Sequence, residues 1–303
     1  MSDEPLDRGY VVVTGTSTGI GAATAAYLTE QGFHVFAGVR RVEDCEALRE
    51  STEHELTPVL LEVTDEASIA GAVETVKSVV GDRGLAGVVN NAGIVKPGPL
   101  EHQPIADFRE HLEVNLIGPL RVIQAFLPLI RTGNGRIVTV GSIGGHLVLP
   151  LHGGYSASKF GLEALSDALR LELRQWRIPV AHVDPGAVKT AIFEKTLREI
   201  DGLPSKLDGH AYELYEQQIS AIRKVIEKTA ADAESPVVIA EAVADALTSD
   251  KPNTRYLAGH GAKAAATMAR TLPDHAKDRA IAHEVGLPEP EKATEKVGAA
   301  RRE

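Results

Sequence analysis

Apolar positions along the chain switch repeatedly between two rhythms. Short β-branched runs alternate with longer segments whose apolar residues recur every three or four positions. That alternation is the pattern of βαβ units feeding a mostly parallel sheet. Residues 10–14 read as a first strand, followed by a glycine-bearing turn and a helix carrying Ala22, Ala25, Ala26 and Leu28. Residues 34–39, 58–63 and 85–90 read as the next three strands; the fourth is apolar almost throughout, as expected of a strand covered on both faces. Residues 68–80 read as a helix. Residues 105–130 read as one long helix, with Phe108, Leu112, Leu116, Leu120, Ile123 and Leu127 on its apolar side. A fifth strand at 136–141, a helix at 155–173 and a sixth strand at 178–183 follow, the last halted by Asp184-Pro185-Gly186.

Beyond Gly186 the rhythm loosens. Residues 187–210 read as loop and short helix, 211–231 and 237–249 as helices, 256–258 as a short final strand, and 262–272 as an alanine-rich helix. The polar segment 288–303 is expected to be disordered. No linker or internal repeat divides the chain. The expectation is therefore one α/β domain over residues 8–287, a Rossmann-like doubly wound parallel sheet with helices on both faces. An irregular substrate-binding region is expected at residues 187–235.

Composition narrows the function classes. With 43% hydrophobic and 24% charged residues the chain is ordinary for a globular protein. A net charge of −10 argues against a nucleic-acid partner, because acidic surface repels phosphate backbones, yet it leaves room for one local basic pocket. A single cysteine, Cys45, excludes an intrachain disulfide and a cysteine zinc cluster, and no HExxH or similar histidine pair suggests a metal. The first ten residues are polar and no run of 18 apolar residues occurs, so the expectation is no membrane span and a cytoplasmic location.

Two local patterns carry chemistry. Thr14-Gly15-Thr16-Ser17-Thr18-Gly19-Ile20-Gly21 lies directly between a strand and a helix. Glycine there permits a tight turn and close backbone approach to a pyrophosphate, which the helix N-terminus then faces with free N–H groups. Tyr155 and Lys159 are four residues apart, on one face of a helix. A phenol titrates near pH 10, and a neighbouring ammonium favours its ionised form, as an acid/base at neutral pH requires. Ser142 follows a strand, in the position where α/β proteins place ligands. A tyrosine–lysine pair alone is a weak signal; its setting gives it weight.

The glycine spacing is TGxxxGxG. Asn90-Asn91-Ala92-Gly93, Asn115, Ser142 with Tyr155-Ser156-Ala157-Ser158-Lys159, and Asp184-Pro185-Gly186 follow it in order. Together these resemble the short-chain dehydrogenase/reductase family across residues 10–258. The resemblance implies an NAD(P)-dependent oxidoreductase that interconverts a hydrophobic secondary alcohol and a ketone, or an alcohol and an aldehyde. It assigns Asn115, Ser142, Tyr155 and Lys159 to catalysis, with Tyr155 as the acid/base. Gly15, Ser17, Thr18, Gly19, Ile20 and Gly21 would enclose the adenosine–pyrophosphate end of the cofactor. Asn91, Ala92 and Gly93 would line its centre, and Pro185, Gly186, Val188 and Thr190 would run past the nicotinamide. Glu62, followed by Val63, stands where the family commonly has an aspartate near the adenine.

Arg40 and Arg41 follow the second strand where an acidic residue would favour NAD. NADP is therefore the expected cofactor, with NAD the alternative. Ser142, Gly144, His146, Leu149, Tyr155 and Phe193 are candidate substrate contacts, and the apolar character of the region suits a hydrophobic alcohol or carbonyl compound. Arg255-Tyr256-Leu257-Ala258-Gly259 with the alanine-rich segment after it resembles the steroid- and retinoid-dehydrogenase branch. By the same resemblance the chain is expected to form a homodimer or homotetramer. Two other functions stay open at this point: an inactive NAD(P)-binding regulatory protein, and an epimerase or dehydratase sharing the tyrosine–lysine pair.

Overall fold

A computed structural model describes residues 7–51 and 56–287. The segment 288–303, expected to be disordered, lies outside the described residues. Among the described residues seven strands build the centre: β1 (Tyr10–Thr14), β2 (His34–Val39), β3 (Leu56–Leu60), β4 (Gly87–Asn90), β5 (Arg136–Val140), β6 (Val180–Pro185) and β7 (Arg255–Ala258). They pair in the order β3-β2-β1-β4-β5-β6-β7, every ladder parallel. The strand order reverses between β1 and β4, so their C-terminal ends open a crevice there, the usual ligand site of such sheets.

Helices cover both faces. On one side α3 (Glu66–Val80), α5 (Gly118–Thr132) and the C-terminal part of α6 (Gly153–Glu172) bury Val76, Phe126 and Leu169 against Val12, Phe36, Val88 and Ile137. On the other, α1 (Gly19–Glu30) and α10 (Val237–Thr248) bury Leu28, Ile239 and Val243 against Val11, Val89 and Val138. A third apolar cluster stands apart from the sheet. It joins Leu151 to α7 (Ala191–Asp201), α8 (Leu203–Lys206), α9 (Gly209–Ala231) and α12 (Asp274–Val285) through Ile200, Leu203, Ile222 and Val285.

Several boundaries depart from the sequence reading. The third strand lies at Leu56–Leu60, so Glu62 and Val63 sit past its end. Pro58 pairs opposite Ala37 inside this strand, which is tolerable because β3 is an edge. The sixth strand runs on to Pro185 and includes Asp184. Residues 187–210 are largely helical rather than irregular, because Phe193, Leu197 and Ile200 fall at helical spacing among the charges of α7. The helices α2 (Val42–Ser51), α12 and α11 (Ala262–Thr271) complete the chain; the first two had no counterpart in the hydrophobic pattern.

The single helix expected at 105–130 is α4 (Ile105–Leu112), a π-helical turn (Glu113–Ile117) and α5. Asn115 lies in the wide turn, where the Gly118 amide bonds back to the Glu113 carbonyl. Pro119, with no N–H to offer, follows at the start of α5. By length and composition the continuous stretch Ile105–Thr132 could cross a membrane. Within this stretch Val122, Ile123, Phe126 and Ile130 are buried on the sheet, while Ile105 and Ile117 are exposed.

Phe126 is the largest side chain that α5 places in this core without solvent contact. Replacing Phe126 by Ala should lower the unfolding free energy by about 3–5 kcal/mol in urea titrations, the cost of the lost contacts and the cavity left behind.

Candidate active site

The glycine turn leaves β1 and immediately meets the segment that follows β4. Thr14 Oγ1 accepts hydrogen bonds from the amides of Asn91 at 2.9 Å and Ala92 at 3.0 Å. The Asn91 amide group returns two more, to the carbonyls of Thr14 at 2.9 Å and Gly15 at 3.1 Å. The backbones approach so closely that a Cβ on Gly15, whose φ is +69°, would stand 2.9 Å from Ala92 Cα. One on Gly21 would collide with the Gly15 carbonyl. Thr18 precedes α1 without capping it through its side chain, and the first turn of α1 holds no acidic residue. The leading amides of α1 are thus uncapped by side chain, beside a floor with no Cβ to block an approaching pyrophosphate. The residues present fit a dinucleotide.

From this turn a cavity of about 680 Å³ extends along the ends of the strands to the lid formed by α7 and α9. Gly15, Ser17, Thr18, Gly19 and Ile20 line one end with Arg40, Glu62 and Val63. Asn91, Ala92 and Gly93 line the middle, opposite Pro185, Gly186, Val188 and Thr190. Ser142, Gly144, Leu149, Tyr155, Lys159 and Phe193 line the remainder.

Four candidate residues lie outside that lining. Gly21 packs beneath the turn. Arg41 is mostly exposed and makes a two-pronged bond to Asp44 at 2.7 and 3.1 Å. Asn115 is wholly buried. Its amide accepts from the Ile94 N–H at 2.8 Å and donates to the Ile94 carbonyl and to Ser158 Oγ, each at 3.0 Å. It therefore ties the π-helical turn to the wall of the cavity and, through Ser158, to the carbonyl of Tyr155. His146 turns away from the cavity, its Nε2 donating to Asp184 at 3.0 Å with Glu163 3.7 Å from Nδ1.

Tyr155 and Lys159 stand one helical turn apart at the start of α6. Lys159 is buried and donates from Nζ to the Val140 carbonyl at 2.9 Å, at the end of β5. Burial pulls its ammonium down to about 8, while the charge on Asp184 acts the other way. Burial pushes the Tyr155 phenol above its ordinary value, partly offset by a hydrogen bond with Ser142. The Ser142 hydroxyl also accepts from the Gly144 amide at 3.0 Å, which fixes the short turn that carries it. His152 packs edge-on against the Tyr155 ring, with centroids 6.5 Å apart, and burial holds its imidazole below the ordinary histidine value.

Sequence reasoning missed two groups. Lys195 and Arg198 on α7 line the cavity, and among the described residues neither has a carboxylate within ion-pair distance. Their signal was the i, i+3 spacing of two cations on a helix whose other side is apolar. Asp184 was read as an ordinary strand-end residue. It is almost completely buried, accepts from the Ser142 amide at 3.1 Å, and lies 3.1 Å from His182 Nε2.

Comparison with known proteins agrees with this geometry. The short chain dehydrogenase family model matches residues 9–201. Retinol dehydrogenase 7 of Rattus norvegicus is 36% identical over 284 residues, covering 91% of this chain and 88% of the relative. The 17-beta-hydroxysteroid dehydrogenase type 6 of Homo sapiens is 38% identical over 263 residues, covering 85% and 83%. A short-chain dehydrogenase from Streptomyces avermitilis superposes with a TM-score of 0.72 at 26% identity, over 94% of this chain and 97% of that one. The chain belongs to the short-chain dehydrogenase family, in the branch that holds the retinol and steroid dehydrogenases.

Proposed function

We propose that the protein is an NADP-preferring oxidoreductase interconverting a hydrophobic secondary alcohol and its ketone, or an alcohol and its aldehyde, with Tyr155 as acid/base. The observation that carries the reading is the convergence of Ser142, Tyr155 and Lys159 on one cavity. That cavity begins at an uncapped glycine turn and ends among the apolar side chains Leu147, Leu149, Ile192 and Phe193.

When bound, the nicotinamide supplies and accepts the hydride. The chain itself handles the oxygen and its proton. Ser142 holds the substrate oxygen within reach of the phenol, and Tyr155 donates its proton in reduction or removes one in oxidation. Lys159 lowers the cost of the phenolate by placing positive charge near the ring, its Nζ lying 5.9 Å from the ring centroid. Asn115 fixes the backbone opposite Lys159, since a Cβ on Gly93 would lie 3.4 Å from Asn115 Oδ1 and 3.8 Å from Lys159 Nζ. The apolar walls exclude water from the reacting centre and favour a lipid-like substrate.

The NADP preference rests on Arg40. It lines the cavity with its guanidinium 4.0 Å from Glu62, whereas Arg41 is committed to Asp44. Lys195 lies close enough to Asp44 to lower its titration and adds a second cation to that end of the cavity. A ribose phosphate there meets net attraction. A homodimer is supported by the exposed apolar side chains Ile105, Ile117, Phe160 and Leu171 on the outer sides of α4, α6 and the π-helical turn.

Tyr155→Phe should reduce turnover of a hydrophobic ketone by about a thousandfold or more while leaving NADPH affinity nearly unchanged. Retained turnover in that variant would remove Tyr155 from the chemistry. Fluorescence titration should give NADPH at least about tenfold tighter than NADH, a difference of ~1.4 kcal/mol, with the preference lost in Arg40→Ala. Equal affinities in the parent would defeat the cofactor assignment. Because burial raises the phenol, ketone reduction should hold constant at low pH and be lost as Tyr155 ionises. Alcohol oxidation should instead climb with pH, a pair of profiles read from initial rates in each direction.

A further inference from the structure

Behind the reacting groups lies a buried polar cluster that the proposed chemistry does not use. Asp184, at the end of β6, is about 1% exposed. Its Oδ1 accepts from the backbone amide of Ser142 at 3.1 Å and faces His182 Nε2 at 3.1 Å. Its Oδ2 accepts from His146 Nε2 at 3.0 Å. The second nitrogen of His182 meets the hydroxyls of Thr139 at 2.7 Å and Ser166 at 3.0 Å, which locks that ring from β5 and α6. The second nitrogen of His146 looks toward Glu163 on α6, 3.7 Å away, and Glu163 is itself held at 2.8 Å by Arg255 of β7. Space is so tight that a Cβ on Gly141 would collide with both His182 and Asp184.

The cluster meets the wall of the cavity at the Ser142 turn. Ser142 and His146 flank a single 3-10 turn, Ile143–Gly145, and Asp184 binds both ends of it: the serine by its amide, the histidine by its ring. The turn's inner side carries the Ser142 hydroxyl, its bond to Gly144, and the Gly144 backbone, which packs against the Tyr155 ring. We infer that Asp184 and the His146 ring it holds are positioning residues for Ser142, so that the charge on His146 sets how firmly the serine-bearing turn is aimed at the substrate oxygen. With His146 protonated, its imidazolium lies between the carboxylates of Asp184 and Glu163, and the turn is clamped at both ends by charge-assisted bonds. With His146 neutral the clamp keeps its geometry and loses its charge, leaving the Asp184 anion to His182 and the Ser142 amide.

The surroundings agree on the sign. Asp184 first, then Glu163, favours the protonated form of His146 over burial, while Arg270 of α11 opposes it. Asp184 is held well below the ordinary carboxylate range by both histidines despite its burial. Its negative charge also reaches Tyr155 and Lys159, where it favours the protonated form of each. The charge-assisted part of the clamp is therefore complete below the ordinary histidine range and is lost as the pH rises through the elevated His146 value.

The inference rests on the proposed role of Ser142, and its test separates the two. Ring-labelled histidine and 15N-labelled serine in the intact protein allow the His146 ring and the Ser142 amide to be followed by NMR across pH, with no turnover involved. The expected result is a His146 ring titrating above 6.5, with the Ser142 amide shift following the same curve and becoming flat in His146→Gln. In initial-rate assays His146→Gln should lose that ionisation from its kcat profile. Asp184→Asn should lower kcat by roughly 10- to 100-fold with KM for the carbonyl compound changed by less than about threefold. A Ser142 amide indifferent to the His146 titration overturns the inference, as does an Asp184→Asn protein that folds and keeps the parental kcat. Should Asp184→Asn fail to fold, the NMR titration and His146→Gln still decide. If the amide follows His146 but Tyr155→Phe remains fully active, the coupling stands and the proposed chemistry falls.

Discussion

Two backbone segments at the C-terminal edge of the sheet approach each other with no side chain between them, and the rest of the site depends on that approach. The turn after β1 and the segment after β4 are stitched by Thr14 and Asn91, four hydrogen bonds between neighbouring parallel strands. A side chain at Gly15 or Gly21 would force them apart. Because β1 and β4 flank the point where strand order reverses, this contact sets the floor of the crevice, and the first turn of α1 is aimed along it. The walls are then added by elements that come later in the chain: the Ser142 turn after β5, the start of α6, and the lid.

Most of the architecture was legible because its signals are local. The strands β1, β2, β4 and β5 are valine-rich runs bounded by turn residues, and α5 and α6 carry unbroken apolar stripes. The glycine turn and the Tyr155–Lys159 pair were readable because their spacing has a mechanical reason. What escaped were effects of tertiary placement. Asn115 sits within a helical stripe, and only the folded chain brings the Ile94 backbone to its amide in the π-helical turn. Arg40 and Arg41 are equivalent on paper, but the partner of Arg41 three residues on takes it out of the cavity. His146 reads as a wall residue from its position ahead of Tyr155. It faces backwards because a strand distant in sequence brings a buried carboxylate to it.

Burial disfavours the charged form of both central titratable groups. The Tyr155 phenol is raised and the Lys159 ammonium is lowered. Lys159, pulled down only to about 8, still carries its proton at neutral pH, so positive charge already stands beside the neutral phenol. Further positive charge beside the phenol favours its ionised form, so the proposed acid/base role of Tyr155 is coupled to occupancy of the crevice. The buried Asp184 lies on the far side of the same groups, and its negative field favours their protonated forms.

The lid has a core of its own. Leu151, Ile200, Leu203, Ile219, Ile222, Ile226 and Val285 form a cluster separate from the two that flank the sheet. Its link to the glycine turn is local, since a Cβ on Gly19 would touch Thr190 at 3.2 Å, just ahead of α7. An element built this way can open as a cooperative unit at a fraction of the global unfolding cost, because its apolar contacts are mostly with itself. It can also drift in sequence without disturbing the sheet. The wall of the cavity at Ile192 and Phe193 is thereby free to change apart from the sheet, whereas the opposite wall at Leu147 stays tied to the turn that carries Ser142.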